Sequence, residues 1–138
     1  MSNLAAYYVA LDCFDDARAH AARALEAARD LRAPVVSAFI FQHVAAIAAL
    51  QDGPRERGQV NKLEQAAMLL GFVESQLSSL GARRDYTESQ ELDRVVAALR
   101  SVLGERLDEL MRLGAQWTQE AAASATTPLL DQSPPAPS

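Results

Sequence analysis

Apolar residues recur at spacings of three and four along most of the chain, the pattern of helices that bury one face. Leu4, Tyr7, Tyr8 and Leu11 share such a face and predict a first helix from about Asn3 to Leu11. A short turn at Asp12 and Cys13 follows. Phe14, Ala17, Ala21, Ala24, Leu25 and Ala28 then set the stripe of a second helix, from about Asp15 to Leu31. Asp15 and Asp16 lie in its first turn, where each carboxylate offsets the positive end of the helix dipole by about 0.3–1 kcal/mol. Pro34 suits a first helical turn and drives Ala33 out of helical geometry, so a third helix is expected from Pro34 to Gln51. Phe39, Phe41, Val44, Ile47 and Leu50 cannot share one narrow stripe. A helix that is apolar nearly all round is buried between neighbours.

Residues 51 to 59 hold Gly53, Pro54 and Gly58 among charged side chains and predict a solvated loop. Leu63, Ala66, Ala67, Leu70, Val73, Leu77 and Leu80 predict a regular fourth helix from about Val60, capped by Gly81. Thr87 with Gln90 three residues on reads as a capping box. It opens a fifth helix to Leu103 with Leu92, Val95, Val96, Leu99 and Leu103 inward. Gly104 breaks it, a sixth helix spans Glu105 to Leu113, and Gly114 stops that one. Thr118 caps a last fragment, Gln119 to Ala125. The Pro, Ser and Thr content beyond it cannot offset the entropy of ordering. The expectation is an all-α domain of five to six antiparallel helices over residues 1–125, with a disordered tail over 126–138.

Composition supports helices and narrows the class. Among 138 residues, 49% are hydrophobic and only 6% aromatic, and Ala, Leu, Arg, Gln and Glu are strong helix formers. Thirteen basic and 18 acidic residues give a net charge of -5. Their signs are interspersed without a basic stripe, which disfavours nucleic acid as a partner. A single cysteine forms no intramolecular disulfide and fits a reducing compartment. The N-terminus lacks the basic start and apolar core of a signal peptide. The most apolar run, Val35 to Leu50, contains Gln42 and His43 and is shorter than the ~20 residues that span a bilayer. No membrane association is expected, and the location expected is cytoplasmic.

Candidate chemistry is sparse. Cys13, Asp12, Asp15, Asp16 and His20 lie within ten residues, but a metal needs three or more converging ligands. The simpler account has Asp16 and His20 as an exposed pair one turn apart, with Cys13 as a small apolar filler. Neither histidine sits in a catalytic context, and the phosphate-binding pattern GxxxxGK[ST] is absent. We therefore expect no enzyme activity, no cofactor and no metal. His43, beside Gln42 on an apolar helix, is expected as a core or groove histidine with one hydrogen bond. Trp117 either closes the last gap of the core or anchors a partner, since Trp is enriched in binding hot spots.

The first helical pair resembles a tetratricopeptide repeat, a unit of about 34 residues. Leu4, Ala5, Tyr8, Asp12, Phe14, Ala17, Ala24 and Leu25 occupy its skeleton positions. Asp12 replaces the usual Gly, Ala21 replaces a frequent aromatic, and no proline lies near Arg29. The second half resembles the closing segment of helical-repeat regions in large bacterial ATPase regulators of LuxR-type or maltose-activator-like organisation. Leu69, Leu70, Gly71, Glu74, Leu103, Gly104, Glu105 and Gly114 carry that likeness, while Phe72 and Val73 replace the usual alanines.

These resemblances imply a non-catalytic scaffold that binds a protein or peptide in its groove, as a stand-alone or truncated part of a transcriptional or signalling regulator. The alternative is a small-molecule effector sensor with an apolar pocket between the third and fourth helices. Tyr8 holds the repeat position, which leaves adjacent Tyr7 for a groove or a partner. Terminal repeats normally carry a polar cap. The sequence shows no such helix before Asn3, so self-association through Leu4, Tyr7 and Leu11 is expected. His43 and Trp117 complete the candidate partner or ligand surface.

Overall fold

A computed structural model describes residues 11, 13–31, 34–50 and 57–130. Among these residues all regular structure is helical: α1 (Phe14–Leu31), α2 (Pro34–Leu50), α3 (Arg57–Leu80), α4 (Tyr86–Leu103), α5 (Arg106–Gly114) and α6 (Gln119–Leu130). The all-α class agrees with the sequence pattern. The expected helix at Asn3 to Leu11 lies outside the described residues, apart from Leu11 itself, which sits in a turn and is 53% exposed.

α2 is the hub. It packs against α1, α3, α4 and α6. That is why its apolar residues point in every direction, and Ile40, Phe41, Val44 and Ile47 are all buried. α1 meets it through a ridge of alanines, Ala17, Ala21, Ala24 and Ala28. Phe41 of α2 and Phe72 of α3 meet edge to face, with ring centroids 5.9 Å apart. That geometry sets the positive edge of one ring against the negative face of the other. α3 begins at Arg57, three residues before the expected Val60, so Gly58 is helical and belongs to no loop. α3 ends in paired backbone bonds, Gly81 N–H to Ser78 O at 3.3 Å and Ala82 N–H to Leu77 O at 2.9 Å. Gly81 adopts φ +65°, the left-handed conformation this cap requires.

α4 starts two residues earlier than Thr87 suggests. Asp85 is its N-cap: the side chain accepts from Glu88 N–H at 2.9 Å. Aspartate outranks threonine at this position. The capping box is therefore Asp85 with Glu88, not Thr87 with Gln90.

α5 and α3 cross unusually closely, and glycine makes this possible. A Cβ placed on Gly71 of α3 would lie 2.6 Å from Cα of Met111 in α5, and nearer still to its carbonyl oxygen. The relation is reciprocal: a Cβ on Gly114 would lie 2.6 Å from Cα of Met68. Gly114, expected as a helix stop, is a buried helical residue at this crossing. Arg106 of α5 reaches Glu64 of α3 at 2.6 Å and Arg100 of α4 reaches Asp108 of α5 at 3.1 Å.

α6 runs five residues past the expected end at Ala125. Residues 126–130 thus belong to the helical domain and not to a tail, while 131–138 lie outside the described residues. Thr118 caps α6 as expected, its Oγ1 accepting from Ala121 N–H at 3.1 Å. Pro128 removes a backbone donor within the last turn. Anchoring outweighs that loss: Leu129 is 3% exposed, Thr126 is buried, and the Thr126 hydroxyl donates to Ala123 O at 2.6 Å. No described helix is long and apolar enough to cross a membrane.

Candidate functional site

Two features bring functional groups together: a buried polar network and an open cleft. The network starts from adjacent side chains on α2. Gln42 and His43 are both fully buried. Buried polar groups need partners, and here α4 supplies them. Gln42 Nε2 donates to Glu91 Oε1 at 2.9 Å and to the Glu88 carbonyl at 3.0 Å. His43 Nδ1 lies 2.7 Å from the same Glu91 oxygen. Since that oxygen already accepts from Gln42, Nδ1–H is the donor.

Arg84, in the α3–α4 connection, closes the circuit. Its Nε donates to Gln42 Oε1 at 2.5 Å, and its Nη2 pairs with Glu74 of α3. One network thus ties α2, α3, α4 and a connecting loop. Among the described residues, His43 Nε2 and Glu91 Oε2 are buried without a hydrogen-bond partner. The arrangement orients helices. It reaches no opening through His43, which is 0% exposed.

Glu88 borders the network. Burial pushes its carboxyl above the usual value, and the nearby Asp85 charge pushes the same way. The Asp85 backbone N–H, which Glu88 accepts in the capping box, and the His43 ring oppose this; Glu91 adds to it. A carboxyl raised in the folded state stabilises the fold below its unfolded pKa, and loses that contribution as pH rises through the folded value. Glu88→Gln keeps the capping acceptor without the charge. It should raise stability at pH 7, and its advantage over the wild type should shrink as pH falls to about 4.5. Urea unfolding of both proteins at the two pH values measures this; an advantage independent of pH would refute it.

The cleft, of about 1130 Å³, opens between α1 and α6 with α2 as its floor. Ala22, Leu25 and Glu26 line one wall, Glu120, Ala123, Thr127 and Leu130 the other, and Pro34, Ser37 and Phe41 the floor; Gln76 of α3 also contributes. Each set repeats at helical spacing, so three helices turn stripes toward one space.

The expected surface residues are not brought together. His43 is a core residue, fully buried with Nδ1 on Glu91, so it does not line a partner surface. Trp117 is half-buried and packs against the core, the gap-closing role of its two readings. Leu11 is exposed but away from the cleft lining, and Leu4 and Tyr7 lie outside the described residues. Cys13 is exposed and not a core filler. Among the described residues no three His, Cys, Asp or Glu side chains converge as metal ligands.

Arg84, Glu74, Glu88 and Glu91 are missing from the sequence reading as a site. A signal existed: two carboxylates sit on the same stripe as Val95, Leu99 and Leu103, and Gln42–His43 interrupts an apolar helix. Polar residues on two buried faces must satisfy each other. Compared with protein-family models, curated proteins and solved structures, the chain gives no match.

Proposed function

We propose that the chain is a non-catalytic interaction module that binds a protein or peptide partner in the cleft between α1 and α6. The observation that supports this is the cleft itself: it is open, walled by two helices, and floored by the most buried helix of the fold. A rigid floor lowers the entropy lost on binding. The polar network adds to that rigidity by fixing α2 against α3 and α4. A role within a transcriptional or signalling regulator belongs to the same proposal and rests on the resemblance of Leu69, Leu70, Gly71, Glu74, Leu103, Gly104, Glu105 and Gly114 to such proteins.

The effector-sensor reading placed a pocket between α2 and α3. There, Ile40, Phe41, Ile47, Leu69, Leu70 and Phe72 fill the space. The cleft therefore carries the function in our reading.

Ala22 and Ala123 are exposed on opposite walls, so tryptophan at both fills the cleft without touching the core. Partners captured by the wild type should be lost by Ala22→Trp/Ala123→Trp at unchanged thermal stability. Identical capture by both proteins would exclude the cleft.

A further inference from the structure

The cleft has the shape of a vacant helix position. On α6, Glu120, Ala123, Thr127 and Leu130 form one stripe about 15 Å long at 1.5 Å per residue. A helix of that length, about 10 Å in diameter, can lie along the stripe within the cleft of ≈ 1130 Å³. Small side chains at Ala22, Ser37 and Ala123 allow a helix axis to approach closely. A helix also satisfies its own backbone, which matters here because all regular structure among the described residues is helical and supplies no strand edge to pair with.

Charge narrows the occupant. Glu26 and Glu120 stand on opposing walls, both exposed, and no ion pair or hydrogen bond joins either to a residue whose side chain is described. Among the residues whose side chains are described, the cleft lining holds no Lys or Arg. The chain's own segments at residues 1–10 and 131–138 contain no Lys or Arg either. They cannot supply the complementary side-chain charge. We infer that the cleft receives a helix of about three turns from another protein, with small or apolar residues at spacings of three and four and basic residues flanking them to meet Glu26 and Glu120. The inference rests on the cleft being the partner site, and it specifies the partner's chemistry.

The test is selection from a displayed library of random 14-residue peptides on the full chain, with counter-selection on Ala22→Trp/Ala123→Trp. Cleft-dependent winners should combine Ala, Leu or Ser at helical spacing with Lys or Arg at the flanks. A synthesised winner should bind at least tenfold more weakly to Glu26→Lys/Glu120→Lys, or when a proline is placed at its centre. Winners that need the cleft but are acidic, proline-rich or indifferent to charge reversal would overturn the helix inference and leave the cleft as a partner site. Competition by a peptide of residues 1–12 as strong as by the winner would overturn it in favour of self-occupation. A selection without cleft-dependent winners would overturn both readings.

Discussion

Alanine at Gly71 is expected to destabilise the protein by about 3 kcal/mol or more, although alanine is the better helix former by about 0.5–1 kcal/mol. Packing decides the sign. The added methyl would meet the backbone of Met111, and backbone cannot rotate aside as a side chain can. The two helices must separate, which opens space along the whole crossing. Gly114→Ala should act similarly through Met68. The double variant should cost less than the sum of the two, because one displacement of α5 from α3 relieves both clashes. Urea midpoints of the three variants measure this. A midpoint unchanged or raised by Gly71→Ala would show that α3 and α5 do not cross so closely.

Truncating Glu91 to alanine is the second large effect, about 3–5 kcal/mol. Its Oε1 holds both Gln42 and His43, which are fully buried and have no route to water. The loss is mainly the cost of leaving His43 Nδ1–H, and one of the two Gln42 amide hydrogens, without an acceptor; the other still reaches the Glu88 carbonyl. Glu91→Gln keeps an acceptor oxygen and should cost markedly less. His43→Leu/Glu91→Leu removes both partners and should also cost less than Glu91→Ala, since apolar replacement of a buried pair is often close to neutral. Equal losses from Glu91→Ala and Glu91→Gln would show that charge, not hydrogen bonding, holds the network.

Legibility in the sequence followed the physics of each element. α2 was readable as a central helix because its apolar residues occupy every angle, and only burial on all sides satisfies that. The alanine ridge of α1 was readable because spacing alone defines it. The α3–α5 crossing was not. A glycine after Leu69 and Leu70, or at the end of a short helix, looks the same whether it breaks a helix or admits a neighbour. Glu88 and Glu91 were hidden because carboxylates default to the surface. Only the matching pair on α2 overrides that default. The end of α6 was misread because Thr and Pro in 126–128 weigh toward disorder, whereas Leu129, one residue later, finds the core. The cleft belongs to no single segment. It exists because α6 returns to α2, and periodicity along a chain does not state where a helix returns to.

That return has a consequence for size. In stacks where each helical pair touches only its neighbours, units can be added or deleted and the rest persists. Here the last helix seats on α2 and α3, and α5 locks to α3 across the intervening α4. Inserting a further pair anywhere between α3 and α6 would carry these partners out of register. The stretch from α2 to α6 closes back on itself, and its length is fixed by those contacts.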